Sequence, residues 1–302
     1  MRQRVETLVN NLNKTIVGKT DAIRLVLVAL FSGGHALLED VPGVGKTLLA
    51  KSLAQSIDGG FQRIQCTPDL LPSDVTGTNI WNPSSGEFQF MPGPVFTNIL
   101  LADEINRATP RTQSALLEVM EEHQVTTDGV SRLVSDPFFV IATQNPVEYQ
   151  GTFPLPEAQM DRFALCFSLG YPTEAEELDM LQRLGTTVDK TPIQPCITLD
   201  EVLSLRRHCA QVAIEASLQQ YMLDLVRATR RHNDITLGVS PRGAVAFYRA
   251  VQTLAYLEGR DYAIPDDVKT LALPVLAHRL IPAGNSRPPL LIKQLLEVTA
   301  IP

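Results

Sequence analysis

The chain has 302 residues, 44% hydrophobic and 20% charged, with a formal net charge of −7, an ordinary composition for a globular protein of one large or two modest domains. No run approaches ~18 consecutive apolar residues, which argues against a transmembrane helix, and the opening MRQRVETLVNNLNK lacks the apolar centre of a secretory leader, so the chain reads as cytoplasmic. The acidic balance disfavours a surface built for nucleic-acid phosphates and favours a protein partner.

From about Thr20 a helical pattern sets Ile23, Val26, Leu27 and Leu30 on one face and stops at Gly33-Gly34. The apolar run HALLE then predicts a buried strand. LLEDVPGVGKT follows, ahead of the predicted helix KTLLAKSLAQSI, and this is the context a phosphate-binding loop requires. Pro42, Gly43, Val44, Gly45, Lys46, Thr47 and Leu48 form the candidate nucleotide-binding stretch. Gly43 and Gly45 let backbone N–H groups turn inward around phosphate oxygens, and the following helix adds its positive end. Lys46 can reach the β- and γ-phosphates, and the Thr47 hydroxyl can ligate Mg²⁺. The strict GxxxxGK[ST] pattern asks for glycine where this chain has Asp40.

FQRIQ is the next predicted strand. Residues 77–96 carry the single tryptophan, Trp81, with Phe88, Phe90 and Phe96 around a PSSG turn signal, which predicts a hairpin. NILLADE is an apolar strand ending in Asp103 and Glu104. Adjacent carboxylates at the end of a buried strand have no packing reason to be there. A metal and a water supply one: Asp103 would share the Mg²⁺ shell with Thr47, and Glu104 would polarise the attacking water. Arg107 and Arg111 follow closely as candidate phosphate-site or interface arginines. QVTTDGVSRLV turns at Asp128-Gly129, a hairpin dipeptide. FFVIATQNP is a strand with a polar end, where Asn145, Thr143 and Gln144 compete for contact with the γ-phosphate or the water. ALCFSL is the last strand of this half.

After Tyr171-Pro172 the character changes. Thr173 with Glu176, and Thr198 with Glu201, form capping-box pairs. Ser240-Pro241 and Ile264-Pro265 mark further helix starts with proline at the first helical position. The expected organisation is an α/β nucleotide-binding core over residues 1–186, with a parallel sheet and helices on both faces, a linker over 187–197, and an all-helical lid over 198–302. The basic runs Arg206-Arg207-His208 and Arg227 to His232 fall on predicted lid helices, where a solvated face is the simpler reading. Cys66, Cys166, Cys196 and Cys209 show no CxxC pair and read as small buried hydrophobes.

DVPGVGKT, ILLADEINRA, QSALLEVMEE, ATQNP, LPEAQMDRF and GVSPRG occur in this order, and through them the chain resembles the MoxR-type AAA+ ATPases over essentially its whole length. DEINRA and PEAQMDRF are narrower signatures than a phosphate loop alone, and Asp40 fits the E-D-x-P-G form of loop found in that family. The resemblance implies ATP and Mg²⁺ as ligands and ATP hydrolysis as the activity. It matches Asn145 to the sensor-1 position and Arg162 to the arginine finger that a neighbouring subunit inserts into the ATP site. Arg242 matches sensor 2, a lid arginine that closes onto the γ-phosphate. Val17 and Gly18 match the segment around adenine, which in the family commonly ends in glutamine where this chain has Lys19.

A finger supplied by a neighbour requires head-to-tail assembly, and the family implies a ring, usually of six. The resemblance also turns the inserted hairpins toward the pore or substrate side. It implies a protein client, often one carrying a von Willebrand factor A domain with a metal site, with assembly or metal-cofactor insertion as the outcome. Two other classes stay open: a nucleic-acid motor, since related helicases share such hairpins, and a nucleotide-gated structural ring with little turnover. The intact Lys46, Asp103 and Glu104 disfavour the latter. A metal-chelatase motor subunit would be a close mechanistic relative.

Overall fold

The computed structural model describes residues 1–16, 18–146, 151–185 and 193–302. Helices α1 (Arg2–Thr15) and α2 (Thr20–Phe31) precede strand β1 (Ala36–Glu39), helix α3 (Lys46–Ser56) and strand β2 (Phe61–Gln65). A short helix α4 (Pro72–Thr76) leads into β3 (Gly77–Asn82) and β4 (Glu87–Pro92). Then come β5 (Ile99–Asp103), α5 (Pro110–Glu122), β6 (Gln124–Thr127), β7 (Val130–Leu133) and β8 (Phe139–Gln144). Helix α6 (Glu157–Met160), strand β9 (Leu165–Phe167) and helix α7 (Glu174–Gly185) close the first half. The second half runs through α8 (Leu199–Cys209), α9 (Ala216–Thr229), β10 (Ile235–Leu237), α10 (Pro241–Leu257), α11 (Pro265–Leu276), β11 (Ile281–Pro282) and α12 (Pro288–Val298).

The five predicted apolar strands form one parallel sheet in the order β2-β5-β8-β1-β9. Successive side chains on a strand face opposite sides of a sheet, and both sides here are covered. Leu38, Ile99, Leu101 and Ile141 join the core shared with α1, α2, α3 and the C-terminal helices. Their neighbours Leu37, Leu100, Val140 and Ala142 join a second core with Leu116, Leu117 and Met120 of α5. That double burial is why the strands read as continuous apolar runs. β8 lies between β1, which leads into the phosphate loop, and β5, which carries the acidic pair. The C-terminal ends of all three strands therefore converge on one edge of the sheet, the edge where open α/β sheets place their ligands.

The capping signals hold. Glu176 accepts from the Thr173 N–H at 2.7 Å and Glu201 from the Thr198 N–H at 2.8 Å, and the Ser240 hydroxyl accepts from the Gly243 N–H at 3.0 Å. The lid is helical as the sequence predicts, with one addition: Ile235–Leu237 pairs antiparallel with Ile281–Pro282, a ribbon too short to show a period of its own. Arg279, 5% exposed, fastens the lid to the core. Its guanidinium donates to Asp161 Oδ1 at 2.8 Å, the Phe163 carbonyl at 2.6 Å and the Ala164 carbonyl at 3.2 Å.

Residues 187–192 of the expected linker lie outside the described residues. The part that follows runs along the core, where Asn11 Nδ2 donates to the Gln194 carbonyl at 3.1 Å and the Cys196 N–H to the Ser56 carbonyl at 2.9 Å. The cysteines are free; Cys66 and Cys209 are buried, Cys166 and Cys196 half-buried. Burial pushes the Cys66 and Cys209 thiols up to about 12, so they act as hydrophobes.

Under the sheet, His35 is buried with Nδ1 accepting from the Val140 N–H at 3.0 Å and Nε2 at 3.1 Å from the Met120 carbonyl. Burial lowers its pKa to about 4. Above about pH 6.5 His35 is neutral both folded and unfolded. Below that, the unfolded chain binds a proton that the folded chain refuses, so stability falls with pH. Between roughly pH 7.5 and pH 5, His35 is expected to remove about 2 kcal/mol of stability. Urea midpoints for the wild type and His35→Gln at the two pH values test this: the variant should show the shallower pH dependence.

Candidate nucleotide site

Gly43 and Gly45 take φ values of +87° and +95°, backbone that side-chain-bearing residues rarely adopt. They wrap the loop into a cradle directly before α3, whose first residue is Lys46. Lys46 is 8% exposed and folds over the loop, with Nζ donating to the Asp40 carbonyl at 3.1 Å and the Val41 carbonyl at 3.3 Å. The loop, Lys46, Thr47, Leu48, Asp103 and Glu104 line one cavity of about 420 Å³. Its shape and donors suit the polyphosphate of a nucleotide.

Asp40 has a structural reason for standing where a strict loop has glycine. Its buried carboxylate accepts from the Ser168 hydroxyl at 2.6 Å, the Leu169 N–H at 2.6 Å and the Gly170 N–H at 3.0 Å. It therefore ties the start of the phosphate loop to the chain leaving β9.

Asp103 and Glu104 part company at a backbone turn. Glu104 has φ +56°, a left-handed conformation for a non-glycine residue, of the kind that gathers at functional sites. The turn points its carboxylate at Gln65 Nε2 and the Arg107 guanidinium, each 3.0 Å from Oε2. Thr143 at the end of β8 links the two acids, donating to Asp103 Oδ1 at 2.7 Å and accepting from the Glu104 N–H at 2.9 Å. Of the three candidates at that strand end, Thr143 makes this contact. Gln144 turns to Glu39, and Asn145 sits half-buried one residue beyond β8. Among the described residues no cluster of three or more His, Cys, Asp or Glu side chains forms a metal site. The Thr47 hydroxyl and the Asp103 carboxylate fit a cation that draws its remaining ligands from phosphate and water, as Mg²⁺ does.

A larger cavity of about 630 Å³ lies between α2, β9, α10 and α11. Both of its arginines are already paired, Arg24 with Glu258 at 3.1 Å and Arg260 with Asp267 at 2.5 Å, and no phosphate loop faces it. Chemistry rather than size selects the smaller one.

Comparison with known proteins agrees with this geometry. Residues 35–165 match the family model described as ATPase family associated with various cellular activities, and residues 227–294 match the AAA lid domain. Chaperone MoxR1 of Mycobacterium tuberculosis is 40% identical over 99% of this chain and 82% of its own length. The chain belongs to the MoxR family of AAA+ ATPases. An uncharacterised Bacillus subtilis protein, YeaC, is 51% identical over 90% of this chain and 85% of its own. The fold also matches a crystal structure from Cytophaga hutchinsonii, provisionally described as an ATPase, with TM-score 0.93, 38% identity and coverage of 100% and 96% of the two chains.

Within this MoxR-family chain, the two arginines that the resemblance sends to the γ-phosphate lie elsewhere. Arg162 Nε is 3.0 Å from Glu121 Oε2, and Arg242 pairs with the other oxygen of the same carboxylate. Glu121 sits at the end of α5, which starts just beyond Asp103 and runs back across the sheet; its neighbour Met120 bonds His35 at the start of β1. Arg162 and Arg242 thus stand at the edge opposite the phosphate loop. The expectation that Arg242 closes onto the γ-phosphate needs correction for its own subunit, because the Glu121 carboxylate holds it beside Arg162 on the far edge. Arg107 reaches Glu104 instead, and Arg111 is exposed.

Gly18, φ +74°, presses against Glu176 so closely that a Cβ would fall 1.7 Å from Oε1. It joins the N-terminal segment to the cap of α7. Val17 lies outside the described residues. Lys19, where the family commonly has glutamine, donates to the Tyr171 carbonyl at 2.7 Å.

Sequence reasoning passed over Arg63 and Gln65, which line the nucleotide cavity from β2. The available signal was their period-2 spacing around buried Ile64, which sets both polar side chains on one face of the strand. The basic runs of the lid are solvated as expected at Arg207, His208, Arg227, Arg230 and Arg231, whereas Arg206 is half-buried, with Nε donating to the Leu30 carbonyl at 2.9 Å.

Both expected hairpins form, with Asn82 paired to Glu87 across the first turn and Thr127 to Val130 across the second. Their aromatics divide. Phe90 packs on Phe96 at 5.6 Å and lies under Arg132, 3.9 Å from its ring, which docks one hairpin on the other. Trp81 and Phe88 pair edge-to-face at 5.2 Å but remain 51% and 69% exposed.

Proposed function

We propose that this protein hydrolyses Mg²⁺·ATP in a closed ring of identical subunits, most simply a hexamer, and uses the cycle to remodel a protein client in the cytoplasm. The observation that carries this reading is the division of the catalytic set. Lys46, Thr47, Asp103 and Glu104 lie at one edge of the sheet, and Arg162 and Arg242 at the other. A head-to-tail repeat unites them, because each subunit then offers its arginine edge to its neighbour's phosphate loop.

Bound Mg²⁺ would neutralise charge on the phosphate oxygens. The loop N–H groups and Lys46 orient the phosphates, Thr47 and Asp103 hold the cation, Glu104 takes a proton from the attacking water, and Asn145 aligns that water. Arg162 and Arg242 stabilise the transferring phosphoryl group of the next subunit.

The exposed Trp81–Phe88 pair supports a client surface on the first hairpin, since exposed aromatics of this size recur at protein contacts. The chaperone name of the mycobacterial relative points the same way. A client with a von Willebrand factor A domain, and metal-cofactor insertion as the outcome, rest on family resemblance. The net charge of −7 weighs against the nucleic-acid alternative. Mg²⁺-dependent ATP hydrolysis per subunit, measured across protein concentration, tests the shared site. The specific rate should climb as rings assemble; a rate flat down to concentrations where the protein is monomeric would overturn the proposal.

A further inference from the structure

Asp103, the carboxylate that the proposed function gives to Mg²⁺, already has a cation. Arg63 donates from one guanidinium nitrogen to Asp103 Oδ2 at 2.6 Å and to Gln65 Oε1 at 2.8 Å. Thr143 occupies Oδ1 at 2.7 Å, so both carboxylate oxygens are engaged by protein donors. The strand pairing explains the contact: β2 runs beside β5 with Gln65 opposite Asp103, and Arg63, two residues back, lies on the same face as Gln65.

A guanidinium on Oδ2 and a divalent cation shared with Thr47 would compete for one carboxylate and repel each other across a few ångströms. The partners differ in freedom. The Asp103 side chain is 13% exposed and that of Arg63 45% exposed. Asp103 is fixed by Thr143, whereas the Arg63 head can swing into solvent and keep Gln65 as an acceptor.

We propose that Arg63 occupies Asp103 Oδ2 as a competing cation until nucleotide arrives, then yields it to Mg²⁺, and so sets the Mg²⁺ concentration at which nucleotide binds tightly. The proposal rests on the Mg²⁺·ATP reading above. It assigns Arg63 to the metal side of the site, with no direct contact to phosphate.

The test is binding of a fluorescent ATP analogue to the full chain, titrated with Mg²⁺ and repeated in excess EDTA, for the wild type, Arg63→Gln and Arg63→Lys. Removing a partly exposed competitor should lower the half-saturating Mg²⁺ concentration of Arg63→Gln by a factor of about two to five. Arg63→Lys should fall between, and affinity in EDTA should stay unchanged for all three. Weakened binding in EDTA with an unmoved Mg²⁺ midpoint would overturn the proposal and make Arg63 a phosphate ligand. A raised midpoint, or one unmoved in both variants with EDTA affinity intact, would overturn it in favour of a structural role. If Arg63→Gln does not fold, Arg63→Lys carries the same readout. Wild-type protein that binds no nucleotide at any Mg²⁺ concentration would remove the nucleotide reading itself, a failure visible before any variant is compared.

Discussion

Glu104→Gln is expected to bind nucleotide as the wild type does and to hydrolyse it roughly 10²–10⁴-fold more slowly, the usual contribution of a positioned general base. The amide keeps the size of the carboxylate and an oxygen for the Gln65 and Arg107 donors that hold Glu104 at 3.0 Å. The left-handed turn at φ +56° is a backbone property, and the Glu104 N–H still donates to Thr143. What changes is the ability to accept a proton from water. Binding rests on Lys46, Thr47 and the loop, which the substitution does not touch. Equilibrium binding beside single-turnover hydrolysis separates the two roles. Parallel loss of both would mark Glu104 as a structural residue, and unchanged hydrolysis would exclude it as the base.

The parts of this site legible in the sequence are those whose signals are contiguous. A strand, two glycines, Lys46-Thr47 and a helix follow one another within a few residues, and the geometry is local. The same holds for Asp103-Glu104 at the end of a five-residue strand, and for the hairpin that turns on Asp128-Gly129. Contacts between distant segments were not legible. Asp40 looks like a departure from a motif until its partners, Ser168, Leu169 and Gly170, are brought alongside by β9. Arg63 and Gln65 gain meaning from the pairing of β2 with β5, which no residue of FQRIQ announces.

Strand alternation separates Thr143 from Gln144 at the end of β8. With Thr143 turned toward Asp103, the next residue faces away toward Glu39. The basic runs lie on solvated faces, as expected, at every arginine but one. Arg206 is charged by composition, yet it is half-buried and its guanidinium donates to the Leu30 carbonyl of α2. A charge count along a helix does not say which face is buried.

Arg162→Ala should lose hydrolysis by roughly 10³–10⁵-fold, the range for an arginine supplied in trans, and mixing should reveal where it acts. In the subunit described here Arg162 is held on Glu121 at 3.0 Å, at the edge opposite the phosphate loop, so no site in a lone subunit contains both it and Glu104. A ring of Arg162→Ala subunits lacks every finger, and a ring of Glu104→Gln subunits lacks every base. When the two are mixed and reassembled, some interfaces pair the intact Glu104 of one variant with the intact Arg162 of the other, and those sites are complete. Activity should therefore return on mixing two inactive proteins, rising toward roughly a quarter of the wild-type rate per subunit at equal proportions if subunits assort at random and sites act independently. The same recovery is expected for Arg242→Ala mixed with Glu104→Gln, because Arg242 shares the Glu121 carboxylate. Mixing Arg162→Ala with Arg242→Ala should give none beyond the two alone, since both arginines come from one edge and must be intact on the same subunit. An interface that receives Arg162 from a double-competent neighbour is absent from that mixture. Recovery in this last pair would place the two arginines in different active sites. No recovery in either of the first two, with ring assembly confirmed, would return the finger to its own subunit.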